Sequence, residues 1–396
     1  METPNSNAAA VTIPPREYTT MDLSTFLSAA MVCAPRVRPL ATITGPVAAA
    51  AVGSGAAQWL AGSARAFAAV ELLSRTKDGV ISTATPLPAL HHAVKREPAL
   101  RATIEDALHQ LTQPRPRWAG FALDRPLVMG ILNVTPDSFS DGGRFADPAG
   151  AIAHGRALID AGADIVDIGG ESTRPGALPV TPDDEFARIE PVIKALAAAG
   201  ASISVDTRHA SVMARALEAG ARIINDIAAL SHPGAMALAA KMRSPVVLMH
   251  MQGEPATMQQ APQYDLASLD IAEFLDARIA GCLGAGIARD AIVVDPGIGF
   301  GKTKAHNLEI LARIGLLHGL GTGVLVGASR KSFLGGPVET RLAGSLAIAI
   351  HAVQQGVQIV RVHDVTETRG LARTRHPARE RAVICGASYS AIRSWP

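Results

Sequence analysis

LVMGILNV, residues 127–134, is a short apolar run that closes on Asn133, and its reading decides the fold. Seven more runs of this kind follow: DIVDIGG (164–170), SISVDT (202–207), RIINDI (222–227), VVLMHM (246–251), AIVVDPG (291–297), GVLVGAS (323–329) and IVRVHD (359–364). Each is rich in Val, Ile or Leu and ends on a residue able to do chemistry: Asn133, Glu171, Asp206, Asn225, His250, Asp295, Ser329 with Lys331, and Arg361 with His363. Helical sequence follows nearly every run. Strand-then-helix units in this number predict an α/β (β/α)8 TIM barrel, whose strand C-termini converge on one active-site face.

Outward from the barrel, the chain of 396 residues is long enough for one such unit and an additional segment. Residues 1–20 read as a disordered tail and 21–117 as an N-terminal extension, a small α or α+β unit. The barrel takes 118–375, and 376–396 form a C-terminal tail. Within the extension, Leu100, Ile104, Leu108 and Leu111 recur at helical spacing after Pro98, which predicts a helix over 98–112. Residues 67–73 fit helix and strand equally, and PRPRW (114–118) reads as the linker.

Apolar residues make up 48% of the chain, and 37 basic side chains face 35 acidic ones. That balance gives no support for binding nucleic acid or a membrane surface. The uncharged stretch 40–64 holds too few Leu and Ile for a membrane span. Cys33, Cys282 and Cys385 are widely separated, which points to a reducing, cytoplasmic setting without structural zinc. The N-terminus shows no secretory pattern.

The chemistry lies at the strand ends. The loop NVTPDSFSDGG (133–143) reads as a long connection, either a surface loop or a lid. GGESTRPGA (169–177) places Arg174 beside Thr173 and Pro175, and an arginine fork suits carboxylate or phosphate. Asp206, Asn225 and Asp295 face inward and need partners. An aminopyrimidine-type ring, with several N–H groups, satisfies them; a metal or an acid/base pair does so equally. DPGIGFGKT (295–303) lacks the first glycine of a nucleotide loop, since Pro296 stands there, so Lys302 reads as a surface lysine at a tight turn. Arg361 and His363, two apart on a strand, point to one face and predict an anion site at the barrel mouth.

Taken in order, MGILNVTPDSFSDGG, DIVDIGGESTRPGA, SVDTR, INDI, LMHMQG, DPGIGFGKT, GASRKSFLG, RLAGSLA and VRVHDV resemble the dihydropteroate synthase family along the whole barrel. Residues 1–120 carry no part of the resemblance. It implies a transferase of folate biosynthesis, joining 6-hydroxymethyl-7,8-dihydropterin pyrophosphate to 4-aminobenzoate and releasing pyrophosphate by a dissociative substitution. The resemblance assigns Asp206, Asn225, Asp295 and Lys331 to the pterin. Asn133, Arg361 and His363 fall to the pyrophosphate, with Asn133 also serving Mg2+. Phe300, Lys331 and Ser332 line the aminobenzoate slot, and Met249 and Gly327 pack around the pterin. Phe139 belongs to the first loop, and Thr173, Arg174 and Pro175 to the second. A homodimer is implied in the same way. The competing functions are a methyltetrahydrofolate-type methyltransferase, which has no use for a pyrophosphate site, and a non-catalytic pterin-binding homologue.

Overall fold

A computed structural model describes residues 17–30, 34–135, 147–172 and 180–374. Phe139, Thr173, Arg174 and Pro175 lie outside the described residues.

Eight parallel strands close the barrel: β6 (Leu127–Asn133), β7 (Ile165–Gly169), β8 (Ile203–Asp206), β9 (Ile223–Asp226), β10 (Val246–Met249), β11 (Ile292–Asp295), β12 (Gly323–Val326) and β13 (Ile359–Val362), with β13 pairing back onto β6. Each is followed by a helix: α5 (Pro148–Asp160), α6 (Pro182–Ala198), α7 (Ala210–Ala219), α8 (Ala235–Met242), α9 (Ala267–Gly284), α10 (Lys304–Ala312), α11 (Leu342–Gln354) and α12 (Val365–Thr374). The α/β barrel expected from the strand runs is therefore observed.

The two-residue alternation of a strand sorts the side chains. Val128, Val166, Val205, Ile224, Leu248, Val294, Val324 and Val360 point outward and pack with the helices in one large apolar cluster. Leu127, Met129, Ile165, Ile223, Val247, Val293, Leu325 and Ile359 point inward and share a second cluster with Trp118 and Leu123. Trp118 is 1% exposed and donates its indole N–H to the Ala291 carbonyl at 3.0 Å. It closes the floor of the barrel and is more than the end of a linker. Continued toward the strand C-termini, the same alternation brings Asn133, Asp206, Asn225, Met249, Asp295, Gly327 and Arg361 onto the interior side above this apolar floor.

Ahead of the barrel stand β1 (Glu17–Thr20), β2 (Arg36–Thr44), β3 (Gln58–Trp59), β4 (Arg65–Arg75) and β5 (Gly79–Pro86), in a mixed sheet of order β1-β5-β4-β2, with β3 also on β4. Residues 17–20, which the sequence reading gave to a disordered tail, pair in parallel with β5. The ambiguous segment 67–73 is strand, held between β2 and β5. Helices α1 (Leu23–Ala29), α2 (Gly45–Gly53), α3 (Leu87–Val94) and α4 (Pro98–Thr112) complete the region. The expected helix 98–112 is α4, and its Leu100, Ile104, Leu108 and Leu111 are buried in the cluster of this sheet. Among the described residues no helix is long and apolar enough to cross a membrane.

The sheet docks on the outer ring through Leu73 and Val80, which join the barrel's large apolar cluster, and through charge. Arg75 meets Asp265, Asp270 and Glu273, and Arg36 meets Asp276 at 2.6 Å. Glu71, at the centre of the sheet, pairs with Arg38 at 2.6 Å and approaches Arg313 at 3.7 Å. All of these partners in the barrel lie on or beside α9 and α10.

Candidate active site

Asn133, Gly169, Asp206 and Asn225 sit in successive register on β6, β7, β8 and β9. Met249 and Asp295 are likewise paired across β10 and β11. Arg361 ties the ring together. It reaches from β13 across the mouth and places Nη2 2.6 Å from Asp206 Oδ2 and Nε 2.6 Å from Asp167 Oδ2. Asp167, in mid-β7, also accepts from Asn225 Nδ2 at 2.9 Å and is fully buried. Gly327 leaves room at this junction: a Cβ there would stand 3.6 Å from Arg361 Cβ and 3.9 Å from Asp295 Oδ2.

The opposite wall comes from the β11–α10 turn. Asp295 Oδ1 accepts the Gly297 N–H at 2.7 Å and so fixes the turn on itself. Gly297 has φ +66°, and a Cβ on it would lie 2.0 Å from the His250 carbonyl oxygen. Only glycine allows that approach. The turn carries Phe300, whose ring lies 4.0 Å beneath the Lys331 ammonium. A cation over an aromatic face is an attractive contact of about 0.5–2 kcal/mol. Ser332 is exposed and opens a short 3-10 turn.

Lys302 is not on the surface. It is 3% exposed and donates to His250 Nδ1 at 3.0 Å, to the His250 carbonyl at 3.2 Å and to the Phe300 carbonyl at 2.8 Å. Burial draws its pKa down to about 7, although Asp295 works against this. His250 packs edge-on against Phe274, and burial with the Lys302 charge holds its pKa at about 3. His250 and Lys302 thus form a brace under the turn. Glu171, another strand-end candidate, gives both oxygens to Arg208 at 3.1 Å.

Burial raises the Asp295 pKa to about 6, against the pull of the Gly297 N–H and of Lys331. Burial also raises Asp206, while Arg361 draws it back and Asp167 adds to the rise. The ion pair with Arg361 at 2.6 Å favours the carboxylate form of Asp206 against that burial. Arg361 itself is disfavoured by burial, but Asp167 and Asp206 more than offset this and its pKa is raised. His363 directly follows the end of β13 and meets Ser329. Its Nδ1 lies 3.1 Å from Ser329 Oγ, and its backbone N–H donates to the same oxygen. Burial, then Arg361 and Arg330, lower its pKa to about 3, so it is a neutral imidazole at pH 7.

The structure therefore brings together Asp206, Asn225, Met249, Asp295, Phe300, Gly327, Lys331 and Arg361, with Asn133 and His363 at the same mouth. The sequence reading passed over Asp167. Its signal was a charged residue inside an apolar run, in phase with inward-facing Ile165 and Gly169.

The pterin binding enzyme family matches residues 129–363, more than half of the chain. The chain belongs to the dihydropteroate synthase family. Its activity is that of a dihydropteroate synthase, a transferase. The dihydropteroate synthase of Escherichia coli (strain K12) is 50% identical over 252 residues, covering 62% of this chain and 89% of the relative. Among solved dihydropteroate synthases, that of Xanthomonas albilineans with 4-aminobenzoic acid has TM-score 0.62 and 46% identity, covering 66% of this chain and 96% of that one. The same enzyme in complex with 7,8-dihydropteroate has TM-score 0.60 and 43% identity, covering 65% and 95%. The β1–β5 sheet precedes the region that the family matches.

Proposed function

We propose that this site condenses 6-hydroxymethyl-7,8-dihydropterin pyrophosphate with 4-aminobenzoate, with loss of pyrophosphate before the new C–N bond forms. The observation that carries the reading is the set of acceptors at the barrel mouth, Asp206, Asn225 and Asp295, with the Lys331 ammonium over the Phe300 ring beside them. A pterin presents the complement, with N–H groups along its aminopyrimidine edge and a carbonyl and ring nitrogen for an ammonium. The relatives solved with 4-aminobenzoic acid and with 7,8-dihydropteroate support the same two substrates.

In this reading Asp206, Asn225 and Asp295 accept from the pterin, and Lys331 donates to it. Met249 and Gly327 pack on the ring. Phe300, Lys331 and Ser332 receive aminobenzoate, and Phe139, Thr173, Arg174 and Pro175 belong to loops that complete the site. Arg361 and His363 take the leaving pyrophosphate. As the C–O bond breaks, negative charge grows on that group, and one pre-placed donor is worth about 3 kcal/mol. Asp206 and Asp295 meanwhile oppose the positive charge that develops on the pterin methylene. The aromatic amine captures the cation, and its proton leaves to solvent.

Asn133 suits magnesium. Its amide oxygen is a neutral, hard donor at the end of β6, and it makes no hydrogen bond to another described residue. Mg2+ takes few protein ligands where substrate phosphates supply the rest. Bound there, it would neutralise charge on the pyrophosphate. A cytoplasmic homodimer completes the proposal; Cys282, buried and unpaired, agrees with a reducing compartment. Residues 21–117 are taken as an accessory unit outside the chemistry.

Titrating the dihydropterin alcohol into wild type and Asp295→Asn tests the pterin assignment. Removing the charge is expected to weaken binding about tenfold or more. Equal affinity would take Asp295 out of the pocket.

A further inference from the structure

Asp167 has no place among the groups assigned to the substrates, yet two of those groups depend on it. Its carboxylate is fully buried at the level below Gly169, and one oxygen, Oδ2, accepts both from Asn225 Nδ2 at 2.9 Å and from Arg361 Nε at 2.6 Å. The other oxygen, Oδ1, has no hydrogen-bond partner among the described residues. A buried charge held in this way is costly, and an apolar side chain of the same size would be easier to bury. The arrangement therefore does something other than fill the barrel.

Consider what it does to Asn225. An amide can turn either its oxygen or its NH2 toward a ligand, and the two look alike in shape. A carboxylate only accepts. With Asp167 against it, Asn225 must spend its NH2 on the floor of the site and show its oxygen to the pocket. A hydrogen-bond acceptor at β9 is what an N–H donor of the ligand requires; an amide turned the other way would meet that donor with its own N–H groups. The second bond acts on Arg361. Held by Nε on Asp167, the guanidinium plane is fixed while Nη2 lies on Asp206.

We propose that Asp167 is a positioning residue of the reaction: it fixes the Asn225 amide with its oxygen toward the pterin and sets the plane of Arg361. This deepens the proposed pterin reading and rests on it. Asp167 touches no reacting atom. It determines which hydrogen-bond pattern the pocket recognises, and hence discrimination for an aminopyrimidine edge.

The test uses affinity for the dihydropterin alcohol in four full-length proteins: wild type, Asn225→Ala, Asp167→Asn, and the double exchange Asp167→Asn with Asn225→Asp. In Asp167→Asn the one amide oxygen can accept from both Asn225 and Arg361 only by leaving its NH2 where Oδ1 has no partner, so an uncharged and strained acceptor holds Asn225 more weakly. Binding is expected to weaken about tenfold or more. In the double exchange, the new amide at 167 donates to the new carboxylate at 225 and still accepts from Arg361 Nε. The carboxylate turns an oxygen to the pocket, and total charge is unchanged. Affinity is expected to return to within about threefold of wild type. A side chain that only filled the barrel would give no such rescue. The inference is overturned if Asp167→Asn binds as wild type does, or if the double exchange binds no better than that single variant. Unchanged affinity in Asn225→Ala overturns the pterin reading itself, and so separates its failure from that of Asp167.

Discussion

Replacing Asp206 by asparagine removes one charge from the centre of the site while keeping its size. Two effects follow, with opposite signs. The pterin loses a charged acceptor, and a hydrogen bond to a charged group contributes about 1.5–3 kcal/mol. In the resting protein, however, Asp206 is already bonded to Arg361 at 2.6 Å, so the ligand competes with that ion pair. Weakening the pair lowers the cost of making room. The net loss is therefore expected at the lower end, about 1.5–2 kcal/mol, or about 10- to 30-fold in Kd at 1.4 kcal/mol per decade. Isothermal titration of Asp206→Asn with the dihydropterin alcohol reads this directly. The alcohol lacks the pyrophosphate, so the result does not depend on how Arg361 holds the anion. Affinity equal to wild type would refute the argument, because it would mean that no ligand N–H meets this carboxylate.

Other outcomes follow from neighbouring groups. His363→Ala is expected to slow turnover and weaken retention of pyrophosphate while sparing the alcohol; equal loss of alcohol and pyrophosphate ester in steady-state and binding assays would contradict a leaving-group role. Arg361→Ala should harm both ligands and lower stability, because it strands the buried Asp167 charge, a loss of about 3–5 kcal/mol in such cases; a urea melt unchanged from wild type would contradict this. Lys302 has a folded pKa near 7, below its ordinary 10.5, so between these values the unfolded chain binds more protons. Stability of wild type relative to Lys302→Met should thus rise with pH from about 7 toward 10.5. Parallel melting curves of the two proteins across that window would dismiss a buried, depressed lysine. A chain starting at Trp118 retains the floor plug and every assigned residue, so it should retain turnover with reduced thermal stability. If it folds by circular dichroism but is inactive, the β1–β5 sheet contributes to the chemistry.

The barrel was legible because it repeats one simple signal. Apolar runs of strand length end in polar residues eight times, and the inward phase set by Leu127, Ile165 and Ile359 leads directly to Asn133, Asp167 and Arg361. Helix α4 was legible for a similar reason, since its apolar stripe has helical spacing and is buried as expected. Three features were not readable, and each depends on contacts distant in sequence. Residues 67–73 have no helical or alternating preference of their own; pairing with β2 and β5 on both sides makes them strand. Glu17–Thr20 becomes strand only by joining Gly79–Ser82 some sixty residues on. Lys302 looks like any lysine after a glycine turn, and the acceptors that bury it are backbone carbonyls and a ring nitrogen, which no side-chain pattern announces. Arg361 is a mixed case. Its position was evident, but its bonds to Asp167 and Asp206 join the anion site to the pterin pocket in a way that strand phase alone does not reveal.

The central claim concerns one reaction and two substrates, and release of pyrophosphate by the purified full-length protein tests it most directly. With 6-hydroxymethyl-7,8-dihydropterin pyrophosphate and Mg2+ present, release is expected to depend on added 4-aminobenzoate and to match the 7,8-dihydropteroate formed one for one. Release that does not respond to 4-aminobenzoate, or none at all from protein that binds both substrates, would contradict the account.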